Sequence, residues 1–171
     1  ANETSSPEIV AWDLMAQAEH DEDATSILIS TSGEVIKGVK EIIENECPSL
    51  QRDKIIKTSL SNNGLIVKIE NIEQAINLIN RLAPEHLHLA FDNQEIDIND
   101  LVAGIVLEGS DSAVSLSDYV LGPSHILPTN SSSRFSSPLS VEDFLISSSN
   151  VAIKSKSNKG LYNELVDKTS L

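Results

Sequence analysis

The sequence predicts an α/β protein in which helices pack around a mostly parallel β-sheet. Short aliphatic runs typical of buried strands, such as 26–30 and 65–69, alternate with segments whose apolar residues recur at helical spacing. Strands that alternate with helices in this way are the pattern of parallel α/β layers. The length of 171 residues suits one domain, or one domain with a small appendage.

Local signals predict each element in turn. Ser5 and Glu8 have the spacing of a capping box, and Pro7 suits the first turn of the helix that follows. The later elements are a strand at 26–30, a helix that starts at Thr31–Glu34 and stops at Pro48, a helix at about 49–60, a strand at 65–69, a helix from Ile72 to near Pro84, strands at 87–91 and 104–107, a short strand at Val151–Lys154 and a helix from about Lys159.

Serine dominates the segment after Gly122, around residues 130–140. So much serine is typical of a linker. Pro128, Arg134 and Phe135 interrupt the serines, which favours an ordered loop instead.

Composition and charge restrict the partners and the compartment. A net charge of -14 repels phosphate backbones and anionic lipid, so we expect neither nucleic acid nor membrane as a partner. No apolar run reaches the roughly 20 residues that span a bilayer, and no signal peptide is evident, which makes the cytoplasm the default. Cys47 is the only cysteine, so an internal disulfide is excluded, and core packing near a helix end is its expected role.

Gln17 and His20 form the first candidate site. They lie three residues apart at the end of the first predicted helix, and this spacing puts both on one face. An amide oxygen and an imidazole nitrogen could share a metal ion there. Because glutamine is an uncommon ligand, a solvated helix end is the alternative.

Glu85 and His86 form the second candidate, between a predicted helix and a strand. Glutamate and histidine can pass protons near neutral pH. Adjacent strand residues point to opposite faces, so both reach one site only if the backbone is irregular there. His88, between two leucines, fits the alternation of a strand and is expected on its solvent-exposed face.

Asp118 and His125 form the third candidate, seven residues apart on a turn-rich segment. With Gln17 and His20, Asp118 would complete a mixed nitrogen and oxygen set that suits zinc, manganese or cobalt. The sequence has no G-x-G-x-x-G loop, no P-loop and no G-x-S-x-G elbow, so it lacks the usual dinucleotide fingerprint.

Taken together and in order, these segments resemble the histidinol dehydrogenase family. The resemblance covers essentially the whole chain. The motifs that carry it are VAWDLMAQAEH at 10–20, LAPEHL at 82–87, SDYVLGPSHILPT at 117–129, RFSS at 134–137 and LSVEDFL at 139–145.

The resemblance implies a Rossmann-like layered sheet with helices on both faces, incomplete here, plus a short C-terminal tail. Residues 1–145 would be the later part of the family's first α/β domain, and residues 146–171 the start of its tail. The implied reaction is the oxidation of L-histidinol to L-histidine through the aldehyde, in two NAD-dependent steps of histidine biosynthesis. The implied metal is zinc.

The resemblance also implies roles for single residues. Gln17, His20 and Asp118 correspond to three zinc ligands that also hold the substrate, and Glu85 and His86 to the acid–base pair. His86 would take the alcohol proton and touch the substrate, while Glu85 would activate water at the aldehyde stage. One further histidine, His125, corresponds to a substrate-binding residue.

The chain departs from the family pattern at both ends. The upstream part that binds NAD is missing, as are a downstream glutamate and a histidine that completes the zinc site of the neighbouring subunit. Trp12, Ser117 and Val102 stand where the family usually has a small residue, a glycine and an asparagine. We therefore expect no turnover by this chain alone, and we expect it to self-associate, in agreement with the family's homodimers. The alternatives are a non-catalytic zinc- or imidazole-binding module and a truncated piece without its own function.

Overall fold

The α/β prediction is confirmed by a computed structural model, which describes residues 1–92, 95–117, 119, 122–152 and 159–169. The chain divides into two units, Ala1–Ser140 and Val141–Leu171. Its regular elements are, in order, α1 (Pro7–His20), β1 (Ile27–Ser30), α2 (Gly33–Glu46), α3 (Asp53–Asn63), β2 (Leu65–Lys68), α4 (Ile72–Leu82), β3 (His86–Leu89), β4 (Ile105–Glu108), α5 (Val114–Ser117) and α6 (Lys159–Thr169).

The strands of the described residues form two parallel pairs. β1 pairs with β2, with Ile27 opposite Leu65, and β3 pairs with β4, with His86 opposite Ile105. The helices α2 and α3 connect β1 to β2, and a long segment connects β3 to β4. Parallel pairing requires connections of this kind. Among the described residues, each pair is a separate two-stranded sheet. The layered sheet expected from the sequence is therefore present in two parts.

The helix starts correct two details of the sequence-based prediction. Ser6, not Ser5, caps α1: its hydroxyl accepts a hydrogen bond from the Ile9 amide at 3.4 Å. Ser5 instead accepts from the Asn2 amide. At α2 the cap is Ser32, so both predictions were early by one residue. Neighbouring serines and threonines satisfy the capping preference equally well, and the sequence pattern does not separate them.

The core lies against α1 in two buried clusters that follow one another along the helix. Toward the start of α1, Val10 and Ala11 pack with Leu28 of β1 and Val39 of α2. Toward its end, a second cluster joins α1 to α3 and to the end of α2; its members are Met15, Ala18, Cys47 and Ile56. The predicted packing role of Cys47 is confirmed, because the residue is only 3% exposed.

The serine-rich segment is an ordered loop docked on the end of α4. The Ser131 hydroxyl donates to the Leu82 carbonyl at 2.6 Å, and the Ser133 hydroxyl to the Pro84 carbonyl at 3.2 Å. The Arg134 guanidinium donates to the Arg81 carbonyl. Carbonyls at the end of a helix have no partner within the helix, so these side chains satisfy them and fix the backbone that leads to Glu85.

The second unit contains a 3₁₀ turn at Val141–Phe144 and α6, which confirms the predicted last helix. Val151 and Ala152 have no regular structure, and the rest of the predicted strand Val151–Lys154 lies outside the described residues. No helix among the described residues is long and apolar enough to cross a membrane.

Candidate functional site

A cleft of about 1240 Å³ opens in the first unit. Three of the residues predicted from the sequence border it: Gln17 from α1, and Glu85 and His86 from the start of β3. Asp13 and His88 border it as well. The fold therefore brings an amide, carboxylates and imidazoles from two distant parts of the chain to one hollow.

Helix α1 supplies Gln17 and ends at His20. Residues three apart share a helix face, as the sequence predicted, and His20 is exposed in the last turn. Only Gln17 of the two lies on the wall of the cleft. The exposed imidazole of His20 is accessible from solvent.

The backbone before β3 is irregular, which is the condition under which Glu85 and His86 could serve one site. Ala83 adopts the left-handed conformation with φ of 45° and ends α4. The successive amides of Gly104 and Ile105 then donate to the successive carbonyls of Pro84 and Glu85, at 2.9 and 2.8 Å. In a regular ladder, only alternate residues of a strand form hydrogen bonds to one neighbouring strand. Because the carbonyls of two successive residues accept bonds here, Glu85 precedes the regular part of β3, which begins at His86.

Replacing Gly104 by alanine is expected to destabilise this turn. A Cβ atom at Gly104 would lie 2.6 Å from the Glu85 carbonyl oxygen, a contact that forces the backbone to move. Overpacking of this kind costs about 1–3 kcal/mol of unfolding free energy, which urea denaturation would measure. Gly160→Ala is the matched control, since a Cβ there meets nothing. Equal stability of the two variants would contradict the close approach.

His88 is not on a solvent-exposed face, contrary to the expectation from the sequence. Its side chain is 8% exposed, and its Nδ1 lies 2.5 Å from Oδ2 of Asp13, which is 12% exposed. Its Nε2 lies 2.9 Å from the Gly109 carbonyl oxygen. The second oxygen of Asp13, Oδ1, accepts from the Val114 amide at 3.1 Å. This network joins α1, β3, the end of β4 and the start of α5.

The contacts of His88 define its protonation state. A carbonyl oxygen only accepts, so Nε2 must carry a proton, and a carboxylate at Nδ1 favours a second one. Burial opposes the charge, but the hydrogen bonds that the ring donates to Asp13 and to the Gly109 carbonyl, together with the charge of Asp13, outweigh it and raise the pKa of His88. The contacts and the raised pKa both favour an imidazolium–carboxylate pair.

The His88 pair should give stability that is lost at alkaline pH. Because its pKa is raised above the ordinary 6.5, the stabilisation is complete below about pH 6.5 and disappears as pH rises through the folded pKa. Burial lowers the pKa of the Ala1 amino group to about 6, which acts in the opposite direction between about pH 6 and 8. The unfolding free energy of wild type minus that of His88→Gln cancels the Ala1 contribution. This difference should fall from pH 6 to pH 9, and a flat difference would contradict the pair.

The remaining predicted residues are not assembled by the described part of the chain. Asp118 lies outside the described residues, and His125 is exposed on the loop after Gly122. Among the described residues, no three His, Cys, Asp or Glu side chains gather into a metal-binding group. That statement does not cover Gln17, whose side chain is an amide, or Asp118, which is not described. The set of Gln17, His20 and Asp118 therefore stays a prediction.

Sequence reasoning missed Asp13 and His88. Two signals could have pointed to them. Asp13 is four residues before Gln17 and so shares its helix face, and His88 is two residues after His86 on the same side of the strand. In parallel sheets both faces are usually covered, so polar residues that alternate in such a strand need partners.

The fold and the cleft define an α/β protein with a hollow bordered by amide, carboxylate and imidazole side chains. Residues 1–168 match the family model described as histidinol dehydrogenase, and the chain belongs to this family.

Known relatives agree. The chain is 47% identical over 146 residues to a histidinol dehydrogenase of Caldanaerobacter subterraneus subsp. tengcongensis, covering 85% of this chain and 34% of the relative. It is 39% identical to that of Bacillus cereus, over 98% of this chain and 39% of the relative. The crystal structure of histidinol dehydrogenase from Elizabethkingia anophelis superposes with a TM-score of 0.79 at 37% identity, over 83% of this chain and 33% of that one. The chain thus spans little more than a third of the length of these relatives.

Proposed function

We propose that this chain is part of a histidinol dehydrogenase, which oxidises L-histidinol to L-histidine through the aldehyde with NAD as the hydride acceptor. The observation that supports this most is the cleft, on which Gln17, Glu85 and His86 meet from separate parts of a chain of this family. Their chemistry matches the three tasks of the reaction, which are to hold the substrate, to remove a proton and to activate water.

Gln17, His20 and Asp118 are the proposed zinc ligands. Gln17 lies on the cleft wall and His20 is accessible at the end of the same helix, so their positions fit a shared ion. Zinc takes imidazole nitrogen together with oxygen donors. Bound there, it would supply fixed coordination positions for the imidazole and amine of the substrate, which is catalysis by positioning.

Glu85 and His86 are the proposed acid–base pair. His86 takes the proton of the substrate hydroxyl as hydride leaves the carbon, and Glu85 removes a proton from the water that attacks the aldehyde. The hydrogen bonds from Gly104 and Ile105 hold the backbone of this pair in place. His125, exposed on its loop, is the proposed further contact with the substrate.

The chain alone should not turn over. NAD would bind to parts of the family's sequence that lie outside these residues, since the chain covers 34–39% of its relatives. We further propose that the protein self-associates, as a homodimer in the complete enzyme. Trp12 and Leu65 in the first unit are 40% and 50% exposed, and such apolar surface favours association. Nucleic acid and membrane are not proposed partners, and the cytoplasm is the proposed location.

Titration with zinc chloride tests the metal site. The wild-type chain is expected to bind one zinc ion, and His20→Ala and Gln17→Ala should each weaken binding by more than about tenfold, because loss of a ligand exceeds the usual loss from an outer partner. Calorimetry at pH 7 with a competing chelator would measure the dissociation constants.

Gln51→Ala is the matched control for Gln17→Ala, since Gln51 is an exposed turn residue that does not border the cleft. It should bind zinc like wild type. Equal affinity of wild type and His20→Ala would reject the metal site and leave a domain without metal function. Zinc binding without any response to histidinol would favour a non-catalytic metal-binding module.

A further inference from the structure

The Asp13–His88 network lies between the two halves of the candidate site. On α1, Asp13 precedes Gln17 by four residues and His20 by seven, so all three follow one face of the helix. On β3, His88 follows His86 by two residues, on the same side of the strand. The 2.5 Å contact between Asp13 and His88 therefore joins α1 to β3 close to both sets of residues.

The same carboxylate reaches a third element. Its Oδ1 accepts from the amide of Val114, the first residue of α5, and α5 ends at Ser117, next to Asp118 in sequence. His88 in turn donates to the carbonyl of Gly109, at the turn between β4 and α5. Gly109 has a φ of 86°, which glycine tolerates best, and the turn there brings its carbonyl to the imidazole.

We propose that Asp13 is a positioning residue of the site. Through His88 and Val114 it fixes α1, which carries Gln17 and His20, against β3 and against the start of α5. This inference rests on the proposed zinc site. Asp13 touches neither metal nor substrate in this role; it acts by fixing where the donor groups on α1 lie relative to β3 and α5.

Physical chemistry favours a positioning role for such a pair. Its two members are almost completely buried, and each polar atom of Asp13 and His88 has a defined partner. A buried ion pair with satisfied hydrogen bonds allows few alternative arrangements, so the elements that it joins have one relative placement. Metal affinity depends strongly on such outer contacts because donors must be held in place before the ion binds.

The test compares zinc binding by wild type, Asp13→Asn and His20→Ala in the full chain. Asparagine keeps the shape of the side chain and an acceptor for Val114 but removes the charge that holds His88. Nitrogen-15 NMR of the histidine rings reports the pair directly: the His88 ring should stay doubly protonated to a higher pH in wild type than in Asp13→Asn. We expect the zinc dissociation constant of Asp13→Asn to rise about tenfold, with unchanged far-ultraviolet circular dichroism.

The outcomes separate this inference from the proposed function. Wild-type affinity in Asp13→Asn, with the His88 signal changed, would overturn the positioning role and leave the metal site intact. Identical binding by wild type and His20→Ala would overturn the metal site and the positioning role with it. If Asp13→Asn fails to fold, Val114→Pro replaces it, because proline is tolerated at the first helix residue and removes the amide donor. Weaker zinc binding in that variant supports the role, and wild-type binding overturns it.

Discussion

Replacing Asp13 by alanine is expected to lower the free energy of unfolding by about 3–5 kcal/mol, the usual cost of removing one partner from a buried ion pair. The change leaves His88 without its carboxylate partner at a position where the side chain is only 8% exposed. It also leaves the Val114 amide without the acceptor at 3.1 Å. A domain is stable by only about 5–15 kcal/mol, so the chain should lose much of its stability. Urea denaturation followed by circular dichroism measures the effect.

The control for Asp13→Ala is Asp111→Ala, which removes an exposed carboxylate and should change stability by less than about 0.5 kcal/mol. A double-mutant cycle with His88→Ala gives the coupling energy between the two side chains. Losses that simply add would show that the two residues do not interact, whatever the size of each single effect.

The fold was predictable to the extent that apolar periodicity determines it. The strands at 65–69 and 104–107 were found within one residue, because short aliphatic runs between turn signals have few other interpretations. The short helix α5 was missed, since four residues give no periodicity. The choice between Ser5 and Ser6 as cap depends on backbone angles that no residue preference specifies.

The candidate site was predictable where residue type and spacing carry the chemistry. Gln17, Glu85 and His86 were identified from the sequence, and all three border one cleft. The interpretation of His88 was wrong because alternation says which residues share a side of a strand but not what covers that side. The partner, Asp13, lies 75 residues away in sequence, and only the packing of α1 against β3 brings the two together.

Replacing Met15 by alanine is expected to cost about 2–5 kcal/mol of unfolding free energy. Met15 is 1% exposed and fills the space between α1, Cys47 and Ile56 of α3. Deleting its side chain removes apolar contacts and leaves a cavity that the neighbouring helices can close only in part. Thermal and urea denaturation would measure the loss.

Met15→Leu separates this packing effect from any effect on the site, because a swap of similar volume usually costs less than about 1.5 kcal/mol. Met15 lies two residues from Asp13 and from Gln17 on the same helix, but its side chain belongs to the cluster toward α3. The alanine variant should therefore lose stability while the folded fraction keeps the doubly protonated ring of His88. The contrary result is a loss of the His88 signal with unchanged helical content by circular dichroism. It would mean that the core, and not the ion pair, holds α1 in place. The two sides of this helix would then not be independent. Stability and site geometry are then expected to respond to different residues: Met15 fixes how firmly α1 is packed, and Asp13 fixes where its polar face points.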